Sequence, residues 1–374
     1  MTKKAPTIVI VLGTRPEVIR FSPIIKELLR QNVVNVKLIH TGQHYSQEMS
    51  QVFFDELGLS DPDFNLQVGS MDPAHQLGEI IIRLADIFDK LDPDLVCVWG
   101  DTTSSLGSAL AANKKGIRVA HIESGCRSFD YRMAEEYNRI LIDHISEILY
   151  PLSNYDLENL KRENVHGKIY SLGDPLQDVF LSNIQALQKR NLRSKFNIDG
   201  PYAILTLHRA ENVDNKRILT NILNALAKIK DYKLVWPIHP RTLKMVKTFK
   251  LESMLKNDNF VILNPLSYLE ILELLQDAEF VLTDSGGFQK EAFFAKKPLI
   301  TFRKSTEWYD TVRIGTNVLI NPEDDIDIDS FINNLDNLKA KYLTLEENPY
   351  GVGDSALRIS ESLINEVSSS RYAD

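Results

Sequence analysis

The sequence predicts an α/β protein built from two doubly wound parallel sheets with a central cleft between them. Three observations support this prediction. The chain has 374 residues, which is more than a single hydrophobic core usually serves. Short β-branched runs alternate with longer stretches of helical period, as in successive βαβ units. Polar residues and glycines follow several of these runs directly, where open parallel sheets bind their ligands.

Two series of predicted strands divide the chain. The first series consists of the runs 7–12, 36–40, 95–99, 119–122, 148–150 and 169–172. The second series consists of the runs 202–207, 233–238, 260–263, 280–283, 299–302 and 318–320. Gly173-Asp174-Pro175 breaks the pattern between them, because glycine and proline interrupt regular structure. We therefore predict one Rossmann-like domain over residues 1–172 and a second over residues 173–353.

The end of the chain predicts a helix that returns to the first domain. Residues 354–368 are amphipathic, with Leu357, Ile359, Leu363 and Ile364 expected on one side. An amphipathic helix must bury its apolar side against a core. We expect residues 354–374 to pack back on the N-terminal domain.

Composition excludes several classes of protein. A net charge of -8 and a pI near 5.6 lack the basic face that nucleic-acid binding requires. Cys97 and Cys126 are too few for a disulfide framework or a thiolate metal cluster, which favours the reducing cytoplasm. The first apolar run is too short for a signal peptide, and no run is long enough to span a membrane. We expect a soluble cytoplasmic protein without membrane or nucleic-acid partners.

The first candidate site residues follow the first predicted strand. Gly13 allows a tight turn, Thr14 can cap a helix, and Pro16 suits the first helical turn. Arg15 would then lie at a helix N-terminus facing the crevice, and both Arg15 and Arg20 could bind phosphate or carboxylate. A plain capped helix with solvated arginines explains the same residues.

Three carboxylates are candidate acid/base groups. Asp101 and Glu123 follow neighbouring predicted strands, so that repulsion and partial burial could raise a pKa into the catalytic range. Asp101 could equally be a helix N-cap, whereas Glu123 satisfies no capping rule. Glu135 lies in the first turn of a predicted helix, where the helix dipole alone explains an acidic residue.

The second half of the chain carries a predicted anion-binding turn. Ser285, Gly286 and Gly287 end a strand and open a helix, so that backbone N–H groups and the positive helix end would face an anion. Glu291 could hydrogen-bond ribose hydroxyls. A purely structural Gly-Gly turn is the alternative. No G-x-G-x-x-G follows the first strand, so no redox cofactor is expected.

Two histidines follow strands in the same half. His208 is either a packed core residue or a cation that faces a diphosphate or a sugar. His239 lies in a similar turn after the next strand. No third ligand at regular spacing supports a zinc site, so no metal is expected.

Seven motifs, in order, resemble the non-hydrolysing UDP-N-acetylglucosamine 2-epimerases over nearly the whole chain. The motifs are Gly13-Thr14-Arg15-Pro16-Glu17, Thr41-Gly42-Gln43-His44, Gly100-Asp101-Thr102-Thr103, His121-Ile122-Glu123-Ser124-Gly125, Glu135-Glu136-Tyr137-Asn138-Arg139, His208-Arg209-Ala210-Glu211-Asn212 and Thr283-Asp284-Ser285-Gly286-Gly287. The resemblance implies the type B glycosyltransferase fold and cofactor-free interconversion of UDP-N-acetylglucosamine and UDP-N-acetylmannosamine. It also implies a homodimer and a role in envelope or capsule polysaccharide synthesis.

The resemblance assigns roles to individual residues. The acid/base carboxylates are Asp101, Glu123 and Glu135, and His208 stabilises the departing diphosphate. The remaining assigned residues hold the nucleotide, with Leu266 contacting uracil through its backbone: Arg15, Arg20, Leu266, Ser285, Gly286, Gly287 and Glu291.

The sequence departs from the family pattern at two of these regions. Ala134 stands where a proline is common, and Trp308 stands where many members have an arginine. Arg303 is a candidate replacement for that arginine. Because Trp308 changes the surroundings of the sugar, the identity of the sugar is the least certain implication.

Some members of the family bind a second UDP-N-acetylglucosamine as an activator. Gln43, His44 and His239 fit that possible activator site, but Ser46 stands where a second glutamine is usual and residues 67–73 offer no arginine. We expect weak or absent activation and hyperbolic velocity curves.

Other functions are compatible with the same fold. The same chemistry on another UDP-sugar, such as a UDP-diacetamido-uronic acid, is the nearest alternative, and a glycosyltransferase is the next. A transferase needs one catalytic base and an acceptor site, whereas this crevice presents three candidate carboxylates. A hydrolysing epimerase and a non-catalytic sugar-nucleotide sensor fit less well.

Overall fold

The structure is a computed structural model that describes residues 5–43, 54, 57–187, 190–346 and 348–369. The chain divides into two compact units. The N-terminal unit comprises Met1–Val179 with Asn348–Asp374, and the C-terminal unit comprises Phe180–Glu347. No helix among the described residues combines the length and apolar character needed to cross a membrane.

A seven-stranded parallel sheet forms the centre of the N-terminal unit, in the order β3-β2-β1-β4-β5-β6-β7. Its strands are β1 (Thr7–Leu12), β2 (Asn35–His40), β3 (Phe64–Asn65), β4 (Leu95–Trp99), β5 (Val119–Ile122), β6 (Ile148–Tyr150) and β7 (Lys168–Ile169). Every residue of β1 and β4 is buried, as expected for a parallel sheet covered by helices on both faces.

Helices follow most of these strands. They are α1 (Arg15–Gln31), α2 (Pro73–Leu91), α3 (Thr103–Lys114), α4 (Ala134–Ile145) and α5 (Asn154–Glu163). The next helix, α6 (Pro175–Ala186), begins in this unit and ends in the C-terminal unit. Proline at the first positions of α1 and α2 suits helix starts, because the missing N–H would have no partner there.

A six-stranded parallel sheet forms the C-terminal unit, in the order β10-β9-β8-β11-β12-β13. Its strands are β8 (Tyr202–Thr206), β9 (Lys233–Pro237), β10 (Phe260–Leu263), β11 (Val281–Thr283), β12 (Leu299–Thr301) and β13 (Asn317–Leu319). Its helices are α7 (Leu192–Lys195), α8 (Ala210–Val213), α9 (Lys216–Leu226), α10 (Pro240–Thr248), a 3₁₀ turn (Glu252–Lys256), α11 (Tyr268–Asp277), α12 (Gly286–Phe294), α13 (Tyr309–Ile314), α14 (Asp329–Asn333) and α15 (Leu335–Leu343).

One predicted strand is mostly wrong, and one strand was missed. The run 169–172 pairs only at its start, because β7 ends at Ile169. Tyr170 and Leu172 are apolar because they pack against the core, not because they lie within a strand. The short β3 carries too few residues for a periodic signal.

The final helix α16 (Ser355–Ser369) lies against α1 within the N-terminal unit. Ile359, Leu363 and Val367, spaced four residues apart, are fully buried in the core that contains α1. The prediction that Leu357 lies on this side is wrong, since Leu357 is 39% exposed. Two residues along a helix correspond to about 200°, which turns Leu357 away from Ile359.

The order of strands reverses at one place in each sheet. In the N-terminal unit the reversal lies between β1 and β4, and in the C-terminal unit between β8 and β11. Loops at such a switch point diverge to opposite faces and leave a crevice at the carboxyl ends of the strands. Four of the motifs singled out in the sequence follow these four strands.

Candidate active site

A buried carboxylate, Glu17, joins the loops after β1 and β4. Its Oε2 accepts hydrogen bonds from the backbone N–H groups of Gly13 at 2.8 Å and Thr14 at 2.7 Å. Its Oε1 accepts from the hydroxyls of Thr102 at 2.8 Å and Ser105 at 3.0 Å. Burial raises the pKa of Glu17, and these hydrogen bonds oppose that shift. The sequence motif contained Glu17, but its role as a link between loops was missed.

Gly13 is required by a close contact with α3. A Cβ atom on Gly13 would lie 2.0 Å from the Ser104 Oγ and 2.5 Å from the Ser104 Cβ. Gly13 is not among the glycines with positive φ, so the contact with Ser104, and not a left-handed backbone angle, is what requires a glycine here. The loop after β1 therefore passes directly against the start of α3.

Glu123 lies at the end of β5 in a left-handed conformation, with φ of 72°. Its Oε2 accepts from the Arg20 guanidinium at 2.9 Å and from the Trp99 indole at 3.0 Å. Burial alone would lower the pKa of Arg20. The nearby carboxylates of Glu123, Asp174 and Asp101 outweigh this effect, so the pKa of Arg20 is raised above its usual value. Glu123 is 6% exposed, and its carboxylate is oriented by two donors from other elements.

Asp101, after β4, is also held by an arginine. Arg139 of α4 contacts the Asp101 Oδ2 through its Nε at 2.7 Å and through its second terminal nitrogen at 2.6 Å. The Asn138 amide donates to the Asp101 carbonyl at 2.8 Å. The alternative that Asp101 caps α3 is wrong, because Thr102 is the N-cap and accepts from the Ser105 N–H. The structure thus leaves Asp101 without the capping role that could have explained it.

The two glutamates at the start of α4 differ in their surroundings. Glu136 is fully buried and accepts from the N–H groups of Ser128 and Phe129 and from Arg139. Glu135 is exposed. Glu136 therefore shapes the preceding loop, and Glu135 is the member of the pair that solvent or a ligand can reach.

A buried polar network supports the loops after β4 and β5. Both ring nitrogens of His121 face acceptors: Nδ1 lies 2.7 Å from Asp143 and Nε2 lies 2.9 Å from the Gly100 carbonyl. Asp143 also accepts from the Gly125 N–H at 3.0 Å and pairs with Arg127 at 2.7 Å. His121 and Arg127 together with Asp143 thereby fix the backbone on either side of Glu123. This network carried no pattern that sequence reasoning recognised.

In the C-terminal unit, a buried aspartate organises the loop after β8. Asp284 accepts from the N–H groups of His208 and Arg209 and from the Asn212 amide, at 2.9–3.2 Å. The His208 ring is 40% exposed and lies 3.4 Å from Asp284. Burial lowers the pKa of His208, and the Asp284 charge opposes the shift. His208 is therefore positioned by its backbone while its ring faces outward in part.

The predicted anion turn opens α12. Ser285 is the N-cap, and its own N–H donates to the Thr283 hydroxyl at 2.9 Å. A Cβ on Gly287 would meet no atom within 4 Å, so the space beside this residue is open. A Cβ on Gly286 would lie 3.6 Å from the Arg209 guanidinium. An open helix N-terminus with an arginine at its edge suits an anionic ligand.

The remaining nucleotide-binding candidates have different surroundings. Arg15 is exposed at the start of α1. Leu266 is partly buried against the core of the C-terminal unit. Glu291 lies on α12 close to Tyr268. The pKa of Tyr268 is raised, mainly by burial and in addition by the negative charge of Glu291. Arg303 pairs with Glu307 through both terminal nitrogens, at 2.8 and 3.0 Å.

Arg303, the candidate replacement for an arginine at position 308, lies in an internal ion pair. Arg303 is 4% exposed and its partner Glu307 is 7% exposed. Trp308 itself contacts the start of α12, because its indole N–H donates to the Gly286 carbonyl at 2.8 Å. The ring of Trp308 also covers the Lys290 ammonium at 3.9 Å.

Two residues of the possible activator site, Gln43 and His239, make hydrogen bonds within the protein. Gln43 is 6% exposed, and its Oε1 accepts from the Ser104 N–H at 3.1 Å and the Ser104 hydroxyl at 2.6 Å. His239 is the N-cap of α10 and accepts from the Arg241 N–H at 3.2 Å. His44 lies outside the described residues.

Comparison with known proteins identifies the family. A family model described as UDP-N-acetylglucosamine 2-epimerase matches residues 26–364. The chain is 44% identical over 362 residues to a Methanocaldococcus jannaschii protein named UDP-N-acetylglucosamine 2-epimerase, covering 94% of this chain and 96% of that protein. This chain belongs to the UDP-N-acetylglucosamine 2-epimerase family. The protein is an isomerase by this membership.

A solved structure and a second relative are also similar to this chain over nearly its whole length. The solved M. jannaschii UDP-GlcNAc 2-epimerase in complex with UDP-GlcNAc and UDP has a TM-score of 0.78 at 41% identity, covering 96% of this chain and 99% of that one. A Pseudomonas aeruginosa UDP-2,3-diacetamido-2,3-dideoxy-D-glucuronate 2-epimerase is 38% identical, covering 95% of this chain and 99% of that one. The fold-class prediction of two parallel α/β sheets, as in type B glycosyltransferases, is confirmed.

Proposed function

We propose that this epimerase interconverts UDP-N-acetylglucosamine and UDP-N-acetylmannosamine by eliminating UDP and adding it back. The observation that supports this most directly is the pair Asp101 and Glu123 at the ends of the neighbouring strands β4 and β5. Each carboxylate accepts a charge-assisted hydrogen bond from an arginine. Two oriented carboxylates suit a reaction that removes a proton and later returns one.

The proposed reaction balances without a cofactor. A carboxylate takes the proton from C2 of the sugar while the C1–O bond breaks and UDP leaves, which gives a C1–C2 double bond. A proton then reaches C2 from the opposite face, and UDP adds to C1 again. The net change is inversion at C2, with every proton and the nucleotide returned.

In this proposal the N-terminal unit supplies the acid/base groups. Asp101 and Glu123 are the two groups that exchange protons with C2, and Glu135 is the third carboxylate that can assist. Arg20 and Arg139 orient the first two, so we assign them positioning roles. The fixed backbone around Glu123 limits its motion, which keeps the carboxylate aligned through both half-reactions.

The C-terminal unit supplies the diphosphate site in this proposal. The N–H groups of Gly286 and Gly287, together with the hydroxyl of Ser285, face the diphosphate, where negative charge grows as UDP leaves. His208 faces the same leaving group from the loop after β8, and Glu291 accepts from the ribose hydroxyls. Leu266 contacts uracil through its backbone, and Arg15 is assigned to the nucleotide by the resemblance alone.

A different sugar is the main alternative, and it is not favoured. The 38% identical relative that acts on a diacetamido-glucuronate derivative keeps this possibility open to test. The family model and the 44% identical relative both bear the name UDP-N-acetylglucosamine 2-epimerase. A glycosyltransferase has no support from these relatives.

Incubation with UDP-N-acetylglucosamine in deuterated water, followed by NMR, tests the proposal. We expect deuterium at C2 of both UDP-linked sugars without any added acceptor. Asp101→Asn and Glu123→Gln should each lower exchange by at least about 100-fold, as expected for loss of a general acid or base. Asp89→Asn, which changes an exposed carboxylate on α2 paired with Lys115, is the matched control and should leave exchange unchanged.

Each other outcome of this experiment contradicts the proposal. Release of free sugar would mean hydrolysis. Absence of exchange with UDP-N-acetylglucosamine, together with exchange on a UDP-diacetamido-uronic acid, would move the assignment to the other sugar. Near-normal exchange in both variants would remove Asp101 and Glu123 from the mechanism.

The proposal includes a cytoplasmic homodimer. Tyr137 and Leu141, four residues apart on α4, are 53% and 48% exposed. Neighbouring apolar side chains on a protein surface are typical of protein–protein interfaces. We therefore place the contact between subunits on this part of the N-terminal unit.

A further inference from the structure

We infer that Trp308 is a positioning residue for the turn formed by Ser285, Gly286 and Gly287, and that Lys290 holds the Trp308 ring in place. This inference rests on the proposed function, because it assumes that the turn at the start of α12 binds the diphosphate. Trp308, Gly286 and Lys290 all belong to the C-terminal unit.

The indole of Trp308 fixes one peptide group of the turn. Its Nε1–H donates to the Gly286 carbonyl at 2.8 Å. The carbonyl of Gly286 and the N–H of Gly287 belong to the same planar, trans peptide group. Holding the carbonyl therefore fixes the direction of the Gly287 N–H, which lies at the first turn of α12, where N–H groups have no helical partner.

Gly286 and Gly287 occupy the first two positions of α12. Glycine has the largest backbone freedom of any residue, so a helix start made of two glycines is held less firmly than one made of other residues. Open space adjoins Gly287, so packing around its α-carbon does not restrict it. The hydrogen bond from Trp308 restricts the peptide between them from the other side.

Lys290 secures the ring that makes this hydrogen bond. The Lys290 side chain is fully buried, and its ammonium lies 3.9 Å from the centre of the Trp308 ring. Cation–π attraction is strongest for tryptophan and increases when the cation is shielded from water. Lys290 is also four residues after Gly286, so its positive charge lies on the same side of α12. That charge favours a bound diphosphate over a neutral ligand.

Two substitutions separate the two contributions. Trp308→Phe keeps an aromatic face over Lys290 but removes the N–H donor. Lys290→Met keeps the length of the side chain but removes the charge. The matched control is Trp236→Phe, because the Trp236 indole is fully buried in the same unit and has no hydrogen-bond partner among the described residues.

The first measurement compares binding of UDP with binding of uridine, which has no phosphate. We expect Trp308→Phe to weaken UDP binding about fivefold, the effect of one lost hydrogen bond, and to leave uridine binding within about twofold. Lys290→Met should weaken UDP binding more than uridine binding, because only UDP carries the negative charge that the ammonium favours. Trp236→Phe should change neither affinity. Equal weakening of UDP and uridine in Trp308→Phe would indicate a general structural role and overturn the inference, as would unchanged UDP affinity.

A second measurement works without any nucleotide. The sequence contains one Gly-Gly pair, so glycine labelled with ¹³C at the carbonyl and ¹⁵N at the amide gives a single amide signal coupled to a preceding glycine, that of Gly287. We expect this signal to shift or broaden in Trp308→Phe and to stay in place in Trp236→Phe. If wild-type protein does not bind UDP, the proposed function fails. An unmoved Gly287 signal in Trp308→Phe overturns the positioning role by itself.

Discussion

His40, the last residue of β2, gives the protein a defined loss of stability in mild acid. Its ring is 2% exposed, and its Nδ1 accepts from the Gly42 N–H at 3.1 Å. The ring of Phe54 lies 6.1 Å away in an edge-on arrangement. Burial lowers the pKa of His40 to about 4, because the charged ring would lose its hydration.

The direction of the pH effect follows from these two values. The folded-state pKa lies below the unfolded value of 6.5, so the unfolded chain binds the proton first as the pH falls. The contribution of His40 to stability is therefore complete above pH 6.5 and is lost progressively between pH 6.5 and pH 4. At pH 4.5 the loss relative to pH 7 amounts to about 2.5 kcal/mol.

Urea unfolding at pH 7.0 and pH 4.5, followed by tryptophan fluorescence, measures this effect. His40→Asn keeps an acceptor near the Gly42 N–H but cannot titrate. We expect the free energy of unfolding of the wild type to fall by about 2.5 kcal/mol more than that of His40→Asn over this interval. Comparing the two falls cancels the other groups that titrate in the same range.

The matched control is His166→Asn, which changes an exposed histidine in the same unit. Its fall in stability should equal that of the wild type. If His40→Asn and the wild type lose the same free energy between the two pH values, the buried neutral state of His40 is refuted.

Two further predictions concern packing and assembly. Gly13→Ala places a methyl group 2.0 Å from the Ser104 Oγ. In thermal unfolding we expect the free energy of unfolding to fall by about 2 kcal/mol, and to recover in part in the double variant Gly13→Ala/Ser104→Gly. Equal stability of the single and double variants would exclude this contact as the cause. Leu141→Glu introduces a charge beside Tyr137, on the surface where we propose the contact between subunits. In sedimentation velocity we expect the proposed dimer to shift to monomer, whereas Leu343→Glu, at an 84% exposed leucine of the C-terminal unit, should leave it intact.

Much of the fold could be predicted from the sequence because the signals are local. The apolar runs of β1, β4, β5 and β10 end where predicted. The strands β1, β4 and β5 are fully buried, which leaves an uninterrupted apolar run in the sequence. The short β3 and the loop residues after β7 show the limit, because pairing with a neighbouring strand leaves no pattern in so few residues.

The candidate site was predictable in its location but not in its contacts. Placing Asp101 and Glu123 at the ends of adjacent strands required only the strand boundaries. That Thr102 rather than Asp101 caps α3, and that Glu136 rather than Glu135 is buried, depends on which way each side chain points. Neighbouring residues of the same type carry the same sequence signal, so the choice between them lies in the packing.

The sequence by itself determined two parallel sheets, the motifs at the carboxyl ends of their strands, and a glycine turn at the start of α12. These follow from hydrophobic periodicity and turn chemistry, which act over a few residues. Only the tertiary structure decided that Arg20 meets Glu123, although 103 residues separate them, and that Trp308 reaches back 22 residues to Gly286. Crossover connections bring such residues together, and the direction of a buried hydrogen bond is set by the surrounding packing, not by the sequence near either partner.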